Sequence, residues 1–138
     1  MEVLTEKEAR QYSPLTLAFL GDSVYELLVR ETMVRMANRP ARDLHAAKIH
    51  LVCAAYQARA AEALDFTPEE EAVYRRSRNA TGNTVPRHAS AADYRRATGL
   101  EAVFGYLHLC GNRQRIETLF TQIWNMQEKL LLEIAEKE

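Results

Sequence analysis

Two carboxylates occur in apolar helical stretches, where a charged side chain is costly to bury. Asp22 lies within the apolar run 15–29, and Gly21 directly precedes it. Glu101 begins a second apolar run and lies four residues before Gly105, so these two residues share one face of a helix. Glycine lowers helix stability by about 1 kcal/mol relative to alanine, and an unpaired buried acid is also unfavourable. Each run therefore contains residues that a purely structural helix would not favour.

The two carboxylate–glycine pairs predict a metal site. If two helices cross at Gly21 and Gly105, their backbones approach closely and Asp22 and Glu101 meet. Neighbouring carboxylates repel, and a divalent cation relieves that repulsion; Mg²⁺ prefers oxygen ligands and commonly takes one or two carboxylates together with waters. We therefore interpret Asp22 and Glu101 as the candidate catalytic residues and Mg²⁺ ligands. In the alternative interpretation, Asp22 lies at the edge of its helix in water and the glycines serve packing alone.

A second chemical feature is the basic segment, residues 74–96. It carries six arginines and a single acid, Asp93, for a net charge of +5, so the rest of the chain carries −6 although the whole chain has only −1. A basic stripe on an acidic body is typical of polyanion binding. The alternative is that these arginines pair with nearby Glu69, Glu70 and Glu71 in a solvated loop. Those at 75, 76 and 78 could also stabilise the end of a helix. The six are Arg75, Arg76, Arg78, Arg87, Arg95 and Arg96.

The basic segment also contains a long predicted loop, from Asn79 to Ala89. Arginine, asparagine, threonine and histidine side chains in such a loop can bind the phosphates and 2′-hydroxyls of RNA. The candidate RNA-binding residues are Arg76, Arg78, Asn79, Thr84 and Arg87, with His88 beside them.

The remaining patterns predict one all-α domain over residues 1–138. No stretch alternates like a strand, whereas caps and breakers delimit helices throughout. On the second helix, Leu17, Leu20, Val24, Leu27 and Leu28 are predicted to form the core stripe. The predicted helices are a short one after Thr5, then 14–37, 41–64, 68–78, one between Ser90 and Cys110, and 113–136. In the last of these, Trp124 and Met126 are candidates either for a subunit contact or for the core.

Composition is that of an ordinary globular protein, with 47% hydrophobic and 27% charged residues. The two cysteines lack metal-ligand spacing and are expected to be free thiols. No signal peptide is visible and no run is long enough to span a membrane, so a cytoplasmic location is expected.

Several of these stretches resemble the ribonuclease III family. Phe19–Val24 is similar to the signature of its catalytic domain, and Glu101–Gly105 is similar to its second acidic motif. Three further stretches resemble Mini-ribonuclease III, the short bacterial branch that has no double-stranded-RNA-binding domain. They are Arg78–Ala80, Thr84–Arg87 and Tyr94–Gly99, and the likeness extends from about Leu15 to Phe120.

The resemblance implies a ribonuclease III catalytic-domain-like helical fold and a homodimer. It also implies an Mg²⁺-dependent endoribonuclease that cleaves double-stranded RNA, matures precursor large-subunit ribosomal RNA and leaves 5′-phosphate ends. Full-length family members have two further acids, where this chain has Ala18 and Thr98, and the short branch lacks both. Thr98 could assist a water in the site or bond a backbone carbonyl. The competing interpretations are a non-catalytic helical module that binds structured RNA and a plain helical interaction domain.

Overall fold

The computed structural model describes residues 1–80, 85–87 and 89–137, and all regular structure in these ranges is helical. The prediction of an all-α fold is therefore confirmed. The helices of this described part are α1 (Glu6–Arg10), α2 (Pro14–Met36), α3 (Ala41–Val52), α4 (Ala54–Ala63), α5 (Pro68–Ala80), α6 (Ala91–Leu109), α7 (Arg113–Asn125) and α8 (Gln127–Glu136).

Helix α6 forms the centre of the fold. It packs most extensively against α2, α4 and α5, and it also contacts α1 and α7. Residues 97–107 are all buried except Glu101, which is half-buried. A helix that is apolar on all sides belongs in a protein interior. The fold therefore holds the Glu101 carboxylate within the packed part of the molecule.

The buried face of α2 differs from the predicted stripe. Leu20, Val24 and Leu28 are only half-buried, and Leu27 is 63% exposed. The inward face instead contains Gly21, because the residue without a side chain allows the closest approach to α6. The buried residues of α2 are Leu17, Ala18, Gly21, Tyr25, Val29 and Met33.

The prediction of one continuous third helix is wrong, because the chain breaks into α3 and α4 at Cys53. The backbone of Cys53 is extended, with φ −70° and ψ 159°. The break leaves carbonyl groups at the end of α3 without partners in the helix. The Tyr25 hydroxyl donates to the Leu51 carbonyl at 2.6 Å, and the Gln57 amide nitrogen donates to the Val52 carbonyl at 2.9 Å. These contacts from other parts of the fold stabilise a break that has no glycine or proline.

The predicted last helix is also divided, at Met126 between α7 and α8. The second piece turns back to pack against α4. Trp124 and Met126 are half-buried and pack against the core, and the Trp124 ring lies 6.0 Å from that of Phe120. These contacts favour the core interpretation of Trp124 and Met126.

The predicted helix starts are mostly confirmed by their hydrogen bonds. Thr5 and Glu8 form a complete capping box, and the Ser90 hydroxyl accepts from the Asp93 amide at 3.0 Å. Ser13 occupies the N-cap position of α2 but makes no side-chain capping bond. Across the described residues, no helix combines the length and apolar character needed to cross a membrane.

Candidate active site

Helices α2 and α6 cross in direct backbone contact at two glycines. A Cβ atom placed on Gly21 would collide with the Glu101 carbonyl oxygen and lie 2.8 Å from the Gly105 nitrogen. A Cβ on Gly105 would collide with the Leu17 carbonyl oxygen and lie 3.1 Å from the Gly21 nitrogen. Real Cβ atoms essentially never come this close to backbone atoms, so the crossing requires glycine at both positions.

The crossing brings the Asp22 and Glu101 side chains into hydrogen-bonding contact. Burial is the largest of three causes that together raise the pKa of Glu101 to about 8. The other two are the neighbouring Asp22 charge and the hydrogen bond to Asp22. The Glu101 carboxyl group therefore holds a proton near neutral pH in the metal-free protein. Asp22 is exposed whereas Glu101 is half-buried, so the pair opens to solvent on the Asp22 side.

A third polar side chain reaches the pair from α4. The Gln57 side chain forms a hydrogen bond with the Glu101 carboxyl group, and this contact lowers the pKa of Glu101. Gln57 is only 3% exposed. The site predicted from the sequence did not include Gln57, which lies within the predicted helix 41–64. The one available signal was a glutamine between Tyr56 and Ala58 on a face that is otherwise apolar.

The donor set suits a hydrated cation. Among the described residues, no group of three or more His, Cys, Asp or Glu side chains could hold a metal. Two carboxylates that open to solvent match Mg²⁺, which retains waters and binds substrate phosphates, and they do not match a closed structural zinc site, which needs four protein ligands.

Two residues of this chain, Ala18 and Thr98, occupy the positions at which full-length family members are expected to have further acids, and both are buried. Ala18 is 7% exposed and Thr98 is 5% exposed. The Thr98 hydroxyl donates to the Tyr94 carbonyl at 2.9 Å. Of the two interpretations of Thr98, the structure favours the backbone hydrogen bond.

The arginines of the basic segment differ in the contacts that their side chains make. Arg75 pairs with Glu71 at 2.8 Å, as the structural alternative predicted. Arg96 pairs at 3.0 Å with Glu62 of α4, which was not among the predicted partners. The Arg76 guanidinium is exposed but donates to the Tyr12 carbonyl at 3.0 Å. Arg87 and Arg95 are exposed.

Tyr74 connects the basic segment to α6. The Tyr74 ring lies against Gly99, two residues before Glu101, and the Arg78 guanidinium lies 5.6 Å from the centre of that ring. Asn79 is exposed in the last turn of α5, which extends beyond the predicted end at Arg78. The candidate residue Thr84, like His88, lies outside the described residues.

Comparison with known proteins agrees with this geometry. The family described as the ribonuclease III domain matches residues 15–112, which include both carboxylates and the basic segment. The chain belongs to the ribonuclease III family. The resemblance noted in the sequence is thus confirmed, and the chain is an endoribonuclease of the ribonuclease III type.

Relatives of similar size lie within the ribonuclease III family. The chain is 40% identical to the Mini-ribonuclease 3 of Thermoanaerobacter sp. over 120 residues, which cover 86% of this chain and 84% of the relative. It is 42% identical to that of Symbiobacterium thermophilum over 105 residues, with coverages of 75% and 81%. A crystal structure of a Fusobacterium nucleatum protein is 29% identical, covers 84% of this chain and 94% of its own, and superposes with a TM-score of 0.77.

Proposed function

We propose that this ribonuclease III family member is an Mg²⁺-dependent endoribonuclease that cleaves double-stranded RNA. Asp22 and Glu101 are its catalytic residues and metal ligands, and the products carry 5′-phosphate and 3′-hydroxyl ends. The proposed substrate is precursor large-subunit ribosomal RNA, cut in the stem that joins its two ends, and the proposed location is the cytoplasm.

The contact between the Asp22 and Glu101 side chains carries this proposal. The two residues are 79 positions apart in the chain, yet they meet where the glycines permit the helices to touch. A module that only bound RNA would have no need to hold two mutually repelling carboxylates at a crossing that costs helix propensity.

The two carboxylates have different surroundings and therefore different roles. The Glu101 carboxyl group is fixed by burial and by its contact with Gln57, whereas Asp22 is exposed and therefore accessible to a phosphodiester. Loss of the Glu101 proton gives the pair the negative charge that holds the cation. When bound, Mg²⁺ would lower the pKa of a water for attack on the phosphorus and stabilise the leaving oxygen.

The basic segment supplies the contacts that bind the RNA duplex. Arg78 is held close to α6 by the Tyr74 ring, and Arg87 and Arg95 are exposed for contact with phosphates. Such contacts are independent of sequence and depend on salt. A-form RNA presents a shallow minor groove lined with 2′-hydroxyls, so recognition by shape is expected.

A homodimer would place two such sites on one duplex. Helix α2 exposes large apolar side chains beside the carboxylate pair, with Phe19 82% exposed three residues before Asp22 and Leu15 47% exposed. Exposed apolar groups that cluster on one helix are typical of interaction surfaces. We expect Phe19→Lys to convert a dimer to a monomer in analytical ultracentrifugation while the helical circular dichroism is retained. A monomeric wild-type protein would contradict the dimer.

Cleavage of an end-labelled RNA duplex tests the catalytic assignment. The wild-type protein is expected to cut the duplex with Mg²⁺ and not with a chelator, and to leave the single strands of the same sequence intact. Asp22→Asn and Glu101→Gln should each lower the cleavage rate at least about 100-fold while duplex binding is retained. Digestion of the products by an exonuclease that requires a 5′-phosphate identifies the new ends.

Each other outcome rejects a defined part of the proposal. Wild-type cleavage rates in Asp22→Asn would reject the metal ligands. Duplex binding by the wild-type protein without any cleavage would favour the non-catalytic RNA-binding module. Equal cleavage of single strands would reject duplex specificity, and a precursor ribosomal stem cut no faster than a random duplex would reject the proposed substrate.

The basic segment is tested by the salt dependence of duplex binding. Arg78→Ala and Arg87→Ala should each weaken binding to duplexes of any sequence and reduce the slope of log affinity against log salt by about one. Arg113→Ala is the matched control, because Arg113 is an exposed arginine that pairs with Glu117 on α7. Unchanged slopes for Arg78→Ala and Arg87→Ala would mean that the basic segment does not bind the phosphates of the duplex.

A further inference from the structure

Gln57 is a buried amide held in one orientation. It lies in the first turn of α4, and its Nε2 atom donates to the Val52 carbonyl at 2.9 Å. That carbonyl is available because the chain breaks at Cys53. The same side chain also contacts the Glu101 carboxyl group. An amide nitrogen carries two hydrogens, so it is able to serve both acceptors.

The reverse orientation of the Gln57 amide is unfavourable. It would direct the amide oxygen at the Val52 carbonyl, where two acceptors would face each other without a hydrogen between them. The hydrogen-bond network therefore assigns the nitrogen to the side of Val52 and Glu101.

This orientation leaves the amide oxygen without a donor. Gln57 Oε1 is fully buried and has no hydrogen-bond partner in the part of the chain that the structure describes. Buried acceptors are normally satisfied, and each exception calls for an explanation. Here the acceptor belongs to a side chain that touches a proposed metal ligand, and a hydrated cation carries waters that can only donate to such an acceptor.

We propose that Gln57 is a positioning residue of the active site, which orients Glu101 through Nε2 and accepts a hydrogen bond from a water of the hydrated cation through Oε1. Partners of this kind, one step removed from the metal, orient its ligands and raise its affinity. The inference rests on the proposed function, since it assumes that Asp22 and Glu101 hold a divalent cation.

Titration of the full chain with Mn²⁺, followed by electron paramagnetic resonance, tests the role of Gln57 without any measurement of activity. Gln57→Met keeps the length of the side chain and removes all its hydrogen bonds, so the dissociation constant for Mn²⁺ should rise at least about 10-fold. Tyr25→Phe is the matched control, because it frees a carbonyl at the same helix break without altering Gln57. The control should change the dissociation constant less than about twofold.

The outcomes separate failure of this inference from failure of the proposed function. An unchanged dissociation constant in Gln57→Met, or an equal loss in Tyr25→Phe, would reduce Gln57 to a structural role at the helix break. Absence of Mn²⁺ binding by the wild-type protein, or unaltered binding by Asp22→Asn, would instead reject the metal site itself. If Gln57→Met does not fold, Gln57→Asn provides the same comparison, since the shorter amide cannot span from Val52 to Glu101.

Discussion

Gly21 of α2 lies directly against the Glu101 carbonyl of α6, with no side chain between the two backbones. The position that carries one proposed metal ligand is thus also the point at which the second helix makes its closest approach. Helix packing and the placement of the two carboxylates depend on the same few atoms.

Gly21→Ala is expected to destabilise the protein although alanine is the better helix former. The new methyl group collides with backbone, which cannot move aside as a side chain can. The expected loss in the free energy of unfolding is at or above the upper end of the roughly 1–3 kcal/mol typical of overpacking. Urea denaturation measures it.

Ser23→Ala is the control for the Gly21 substitution, because Ser23 is exposed on the same helix. Its effect should stay within about 0.5 kcal/mol. A Gly21→Ala variant that gains the stability expected from helix propensity alone, about 1 kcal/mol, would mean that the helices do not touch at this position.

The proton held by Glu101 gives the metal-free protein a specific pH dependence. The pKa of Glu101 rises from 4.5 to about 8 on folding, so between these values the folded state binds a proton that the unfolded state releases. The free energy of unfolding should therefore fall as the pH rises from about 5 to about 8, by an amount on the order of a few kcal/mol. Thermal or urea denaturation in a chelator measures the slope.

Glu101→Gln isolates this titration, because it removes the carboxyl group and retains the shape. The difference between the wild-type and variant stabilities should depend on pH only within that window. Mg²⁺ should restore wild-type stability at pH 8, since a cation that binds the ionised pair stabilises the folded state. A difference that is independent of pH would show that Glu101 has an ordinary pKa in the folded protein.

The sequence revealed the carboxylate pair because its signals are local. An acid beside a glycine in an apolar run contradicts helix propensity, and such a conflict is visible without a structure. Helix starts were predictable for the same reason, since a capping residue such as Thr5 acts within one turn.

The parts of the site that could not be predicted depend on contacts between distant residues. The break at Cys53 contains no glycine or proline, and Tyr25 and Gln57 stabilise it from outside α3. The core stripe of α2 was assigned to four leucines and Val24, of which only Leu17 is buried, although the glycine crossing itself was predicted. Closeness of approach, not hydrophobicity, decides which face meets α6.

Tyr25→Phe should measure how much the hydrogen bond from Tyr25 to Leu51 contributes to the free energy of unfolding. The Tyr25 hydroxyl is buried and donates to the Leu51 carbonyl at 2.6 Å, so the variant leaves a carbonyl without its donor. The expected loss is about 1–3 kcal/mol in the free energy of unfolding, with little change in far-ultraviolet circular dichroism. If Tyr25→Phe is as stable as the wild type, solvent must satisfy the Leu51 carbonyl.

A buried ion pair between Arg59 and Asp93 joins α4 to the first turn of α6. Their side chains are 9% and 15% exposed, and Nη1 of Arg59 lies 3.0 Å from Oδ1 of Asp93. Asp93→Ala leaves a buried guanidinium without its counter-charge, so we expect a loss of about 3–5 kcal/mol. Glu71→Ala, which removes the exposed partner of Arg75, should cost less than about 1 kcal/mol.

The Arg59–Asp93 double variant distinguishes the ion pair from the effect of the Asp93 charge on the start of α6. Replacement of Arg59 by Met together with Asp93→Ala removes both charges, and it should recover most of the stability lost in the single variant, because buried pairs are often worth little relative to apolar residues. Urea midpoints for the four proteins give the coupling free energy. No recovery in the double variant would assign the loss to the favourable position of the Asp93 carboxylate in the first turn of α6, since the backbone amide that bonds Ser90 is kept in every variant.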